Sequence, residues 1–160
     1  MKRCNKIIVC ILVAIILMFN ATCSYATELD NTYSFYTETI APENVAVYSP
    51  DIVPYGFGRL EFAGFNREVV VIADQDVIVT SSYPYATLDI ISCVWAPEYY
   101  DVDVGFYCMD TGEFRHATVP NDAQDYAPIT FNLQPGTYRV AARNMGSSRL
   151  TTGYMSYNTN

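Results

Sequence analysis

The 160-residue chain carries nine Lys and Arg against seventeen Asp and Glu, a formal net charge of −8. From residue 27 onward no Lys remains, and six arginines face all seventeen acids, a formal balance of −11. Such a surface repels phosphate backbones and anionic lipid headgroups, which argues against nucleic acid and membrane surfaces as partners.

Lys2, Arg3 and Lys6 open the chain, Ile7 to Phe19 is an unbroken apolar run, and Asn20 to Ala26 supplies small and polar residues with Ser24 and Ala26 at a small-x-small spacing. Positive start, apolar core and small-residue site form the layout of a cleaved secretory signal, residues 1–26. The apolar core is short for a helix crossing ~30 Å of hydrocarbon. Retention as an uncleaved N-terminal anchor is the alternative. Export is therefore expected, with no membrane attachment after cleavage.

Residues 27–54 are rich in Thr, Glu, Asn, Tyr and Pro and lack sustained periodicity. This stretch is read as an extended arm or linker, with a short strand at Val45–Tyr48. Residues 55–160 then read as a β domain. Its short β-rich runs are Leu60–Phe65, Val69–Ala73, Val77–Thr80, Thr87–Trp95, Val102–Cys108, Ile129–Leu133, Tyr138–Arg143 and Leu150–Tyr157. In Val102–Cys108 the residues Val102, Val104, Phe106 and Cys108 share one face. No stretch holds a 3.6-residue period over three turns. About seven to nine strands between Gly, Pro, Asn and Asp turns predict an all-β antiparallel sandwich, jelly-roll-like, because two faces must meet to bury such rows.

The run Ile129-Thr130-Phe131-Asn132-Leu133-Gln134-Pro135-Gly136-Thr137-Tyr138-Arg139-Val140 resembles the L-x-P-G-x-Y hairpin of bacterial pre-peptidase C-terminal domains. Val102–Tyr107 followed by Asp110-Thr111-Gly112-Glu113 resembles an upstream strand and turn of that family. Gly153–Tyr157 resembles its closing strand, so the likeness spans about residues 76–157. It implies an extracellular accessory or binding sandwich. Those domains usually follow a protease, and with a leader-like segment at residues 1–26 none is expected ahead of this one.

Cys93 and Cys108 are the two cysteines beyond the leader. If Thr87–Trp95 and Val102–Cys108 form a hairpin, the cysteines face each other with Trp95 opposite Phe106, so a disulfide is expected. Leu88, Ile90 and Val94 weaken that register, because they make the other face of the first strand apolar too.

No catalytic signature is present. His116, the only histidine, follows the turn Thr111–Glu113 and is read as an exposed turn residue rather than the base for a cysteine nucleophile. Ser81, Ser82, Ser147 and Ser148 lack a G-x-S-x-G context. The close acid pairs Asp74 with Asp76 and Asp101 with Asp103 read as turn residues rather than a glycosidase pair. Asp101 and Asp103, with Asn121–Asp125, are weak candidates for Ca²⁺, and no other cofactor is expected. Tyr83, Tyr85, Tyr99, Tyr100 and Tyr126 fall in expected loops, with Trp95 near a strand end. Aromatic rings at one sandwich end suit stacking on a glycan or anchoring a protein partner. The expected function is thus a secreted, non-enzymatic binding or accessory module for a glycan, cell-wall or protein ligand. A small hydrolase with an unrecognised site, or a secreted effector or inhibitor, is the alternative.

Overall fold

A computed structural model describes residues 33–49, 58–119 and 127–160. The proposed leader, the start of the arm, residues 50–57, Tyr126 and the Asn121–Asp125 loop lie outside the described residues. No helix among the described residues is long and apolar enough to cross a membrane.

The fold is all-β. Ten strands are described: β1 (Phe35–Thr39), β2 (Val45–Tyr48), β3 (Gly58–Glu61), β4 (Val70–Val79), β5 (Tyr85–Ala96), β6 (Val102–Cys108), β7 (Glu113–Val119), β8 (Ile129–Asn132), β9 (Gly136–Asn144) and β10 (Thr152–Thr159). They form a six-stranded sheet in the order β1-β7-β6-β9-β4-β2 and a four-stranded sheet in the order β3-β10-β5-β8. All pairings are antiparallel except that of β2 with β4.

The main core lies between the sheets. Val71, Val102, Val104, Phe106, Ala117, Val140 and Ala142 from the larger sheet meet Leu60, Leu88, Ile90, Trp95, Phe131 and Met155 from the smaller. Phe35 and Phe106 both meet the Phe131 ring edge-on, at 5.1 and 5.3 Å between centroids. These edge-to-face contacts tie β1, β6 and β8 together across the interior.

The larger sheet also buries part of its outer face. β1 and β2 occupy opposite edges, so the chain between them must cross that sheet. It does so through Ile40 and the 3₁₀ turn Pro42–Asn44. Ile40 and Val45 pack on Val70, Ile72, Tyr107, Phe114 and Ala141. This is why every residue of β6 is buried, including those off the core face. The segment read as an arm therefore differs from expectation: it provides both edge strands of the larger sheet and the strap between them. The short strand expected at Val45–Tyr48 is β2.

The expected cysteine hairpin is not formed. β5 pairs with β10 and β8, whereas β6 pairs with β7 and β9. Cys93 and Cys108 lie in different sheets, and both are free, buried thiols. The disulfide inferred from a β5–β6 hairpin is thereby corrected. The apolar character on both faces of β5 has a physical cause. The register with β10 shifts between Ser156 and Tyr157, where Ser156 faces Ser92 and Tyr157 faces Ile90, skipping Ile91. This bulge changes the phase of the strand. Leu88 and Ile90 point inward before it, and Cys93 and Trp95 after it.

Candidate functional site

Four strands place ionisable side chains on the outer face of the larger sheet. Asp103 of β6 faces Thr118 on β7 and Arg143 on β9. One row along, His116 of β7 lies between Tyr36 of β1 and Gly105 of β6. Glu38 is two residues beyond Tyr36 on the same face. Period-two alternation thus brings Glu38, Asp103, His116 and Arg143 together from four strands.

The cluster is buried: Asp103 is 1% exposed, His116 5% and Arg143 8%. His116 Nε2 lies 3.0 Å from Glu38 Oε1, and Nδ1 lies 3.1 Å from Asp103 Oδ2, the latter without hydrogen-bond alignment. Arg143 donates from one Nη to Asp103 Oδ2 at 2.9 Å and also to Glu38 Oε1. Thr118 Oγ1 donates to Asp103 Oδ1 at 2.7 Å. The imidazole is stacked on the rings of Phe114, 4.7 Å away, and Tyr36, 5.6 Å away. The Arg143 guanidinium lies 5.6 Å from the Phe114 centroid.

A buried charge survives only when paired and hydrogen-bonded, and the electrostatics here follow from that pairing. Burial pushes the Asp103 carboxyl upward, but His116, the Thr118 hydroxyl and Arg143 together outweigh it and hold the group below the ordinary carboxylate range. The hydrogen bond from Arg143 is the main cause that lowers Glu38. Burial alone would lower Arg143, yet the Glu38 and Asp103 carboxylates raise it above its usual value. Each of these three charges therefore has an opposite charge beside it in the cluster.

Gly105 is required beneath this arrangement. A Cβ at that position would collide with the Arg115 carbonyl oxygen and come within 2.8 Å of His116 Cα. The bare backbone lets β6 and β7 approach where the imidazole lies.

The cluster forms the floor of an open depression of about 470 Å³. Tyr36, Thr37, Arg67, Thr118 and Met145 complete the wall. Tyr36 is 54% exposed. One face of its ring rests on His116, and its position is fixed by the pairing of β1 with β7.

The sequence-expected residues are distributed differently. Trp95 is 1% exposed, inside the core, with its Nε1 donating to the Tyr100 carbonyl oxygen at 2.7 Å. It is a packing residue, not a surface ligand contact. Tyr100 lies against Gly146 and bonds Ser148 Oγ at 2.6 Å through its hydroxyl, so it closes a turn. Tyr83, Tyr85 and Tyr99 are exposed. The first two flank the start of β5, whereas Tyr99 and Tyr100 follow its end. A twelve-residue strand spans roughly 36 Å at ~3.3 Å per residue. The aromatic loops consequently sit at opposite ends of the sandwich instead of converging at one. Two local ring pairs remain, Tyr83–Tyr85 at 6.4 Å and Tyr99–Tyr100 at 4.7 Å.

His116 is mid-strand and buried, correcting the expectation of an exposed turn residue. Asp103 is likewise no turn residue, and both its oxygens are engaged by Thr118, Arg143 and His116 rather than open to Ca²⁺. Asp101 is exposed on the preceding loop. Among the described residues no group of three or more His, Cys, Asp or Glu is arranged to hold a metal ion. Asp74 accepts from Ser49 at 2.7 Å and Asp76 pairs with Arg139 at 2.7 Å, so that pair has separate structural partners.

Glu38, His116 and Arg143 were not legible as one site. The usable signal was alternation: Phe114, His116 and Thr118 against Arg115, Ala117 and Val119, and Tyr36 and Glu38 against Phe35 and Thr37. Compared with known protein families, curated proteins and solved structures, the chain matches none.

Proposed function

We propose that the chain is an exported, non-enzymatic binding module and that it takes a polar ligand in the depression on the outer face of the six-stranded sheet. Export rests on the leader-like residues 1–26. The observation that carries the site is the half-exposed Tyr36, held over a largely buried cluster of paired charges in an open depression. A volume near 470 Å³ falls within the ~300–1,000 Å³ of small-molecule sites. A rigid sheet also holds the contact groups in place before a ligand arrives.

A hydrolase is the second reading, and His116 is what favours it, because an imidazole flanked by carboxylates can serve as a general base. Against it, both ring nitrogens face carboxylates, at 3.0 and 3.1 Å, rather than a nucleophile. Asp103 is committed to three neighbours, which suits a fixed strut better than proton transfer.

Retention of the purified protein on cell-surface and extracellular-matrix fractions tests the proposal. The Tyr36→Ala variant should lose retention, while Tyr83→Ala, on a distant turn, should keep it. Equal retention of both variants with wild type would remove the site. Hydrolytic turnover of a substrate panel that disappears in His116→Gln would favour the enzyme instead.

A further inference from the structure

We propose that the ligand of this depression is a neutral saccharide, stacked on Tyr36 and hydrogen-bonded through its hydroxyls to Glu38, Arg67 and Thr118. The inference rests on the binding reading above and adds the ligand class.

Three features of the depression lead there. The first is its mixture of surfaces. A pyranose ring has a face of C–H groups and a rim of hydroxyls, so it needs an aromatic plate bordered by groups that both donate and accept. Tyr36 is the plate, with one ring face already stacked on His116 and about half its surface open. Because the ring is held by that stack and by strand pairing, little rotamer freedom remains to be lost on binding. The rim contains a carboxylate with a side chain 41% exposed (Glu38), an exposed guanidinium (Arg67) and an exposed hydroxyl (Thr118). Thr118 gives its proton to Asp103 and so turns its oxygen lone pairs to incoming donors.

The second feature is charge. Glu38 and Asp103 each pair with both Arg143 and His116. Both carboxylates on the floor thus share the Arg143 guanidinium as counter-charge, so the floor presents groups of both signs. An inorganic anion or a polycation would be chosen by a field of one sign, whereas a polyhydroxyl ligand, which both donates and accepts, matches directional groups of both kinds. The third feature is shape. The depression is open, and although its lining exposes more apolar than polar surface, that apolar surface is too small to hold an aliphatic ligand by burial alone.

Titration of the ¹⁵N-labelled purified protein with cellohexaose, chitohexaose and mannohexaose tests this, with oligogalacturonate and an Ala-rich peptide as further probes. At least one neutral hexasaccharide should shift the backbone signals of Tyr36, Arg67 and Thr118. Tyr36→Ala should weaken that binding about tenfold or more, as expected for removal of one aromatic stacking contact. Thr118→Val should weaken it less, and Tyr99→Ala should leave it unchanged. Dispersed spectra from each variant verify that it remains folded; Tyr36 and Thr118 are both surface positions.

If none of the neutral sugars binds, the ligand class is overturned. Binding of oligogalacturonate alone, abolished by salt, overturns it as well, since charge would then be the selector. Perturbation of the same residues by the peptide alone overturns the saccharide but leaves the binding reading standing. Sugar binding that is lost in Tyr99→Ala and kept in Tyr36→Ala sinks the depression as the site, and the binding reading with it.

Discussion

Asp103 and Arg143 illustrate how a buried charge is kept. Asp103 has 1% exposure and three partners, and Arg143, at 8% exposure, serves two carboxylates at once. Removing one member of such a pair strands the other, which typically costs about 3–5 kcal/mol. Arg143→Met should therefore lower the thermal midpoint strongly, while Asp103→Asn combined with Arg143→Met should recover part of the loss, because the charge that remains, Glu38, is partly exposed to solvent. Urea denaturation of the two single variants and the double gives the coupling directly. Equal and additive losses would mean that the residues do not support one another.

The same residues set the response to acid. Glu38 and Asp103 are held below the ordinary carboxylate range in the folded protein. A depressed folded pKa means that the unfolded chain takes up the proton first as pH falls. The stabilisation is thus complete above the unfolded carboxylate value, near pH 4, and is lost progressively as pH drops through the lower folded values. Midpoints measured from pH 6 down to pH 2 should fall less steeply in Asp103→Asn than in wild type. Parallel slopes would show that the acid response originates elsewhere.

At the scale of the element, the strap joining β1 to β2 determines whether the candidate site exists. Ile40 covers Val70, Ile72, Tyr107, Phe114 and Ala141 beside the charge cluster, and Tyr36 and Glu38 belong to the strand just before it. Ile40→Ala should cost about 2 kcal/mol, the low end for such a truncation since the residue lies at the margin of its cluster. Amide exchange should then accelerate first in β1 and β2, which are edge strands, while β6 and β9 stay protected. Uniform acceleration across both sheets would show that the strap is not a separate unit.

Element by element, legibility in the sequence followed the local pattern. β6 was readable from its alternation of Val102, Val104, Phe106 and Cys108, and β2 from Val45 to Tyr48 at their observed bounds. β1 was not, because Phe35-Tyr36-Thr37-Glu38-Thr39 has one apolar anchor on its inner face and looks like polar linker until β7 is beside it. β7 was missed for the complementary reason: Arg115 and His116 mimic a solvated turn, yet one spans the edge near Phe35 and the other is buried under β1. The cysteine hairpin failed on topology. Adjacent strands in sequence often pair, but β5 and β6 belong to different sheets, and no feature of residues 97–101 announces that change. The site was illegible for the same reason, since its members converge from four strands only after β1 has been recognised as part of the sheet.

For the whole molecule, the sealed space between the sheets makes the two thiols reporters of global opening. Burial raises the Cys93 thiol to about 12, so almost none is ionised at neutral pH. Cys108 sits in the same core, close to Gly136 and Tyr138. The thiolate is the reactive species and burial shields both sulfurs from reagent, so neither cysteine should be alkylated while the sandwich is closed. Both should react once it opens. With iodoacetamide in native buffer, labelling should be slow and should track the same free energy as protection of the β6 and β9 amides, because both sulfurs are buried in the core between the sheets. In denaturant both should label at once, without prior reduction, and dithiothreitol should leave the thermal midpoint unchanged. Rapid labelling of Cys93 alone in native buffer would indicate that the four-stranded sheet opens independently of its partner. A midpoint that falls on reduction would restore a covalent link between the sheets.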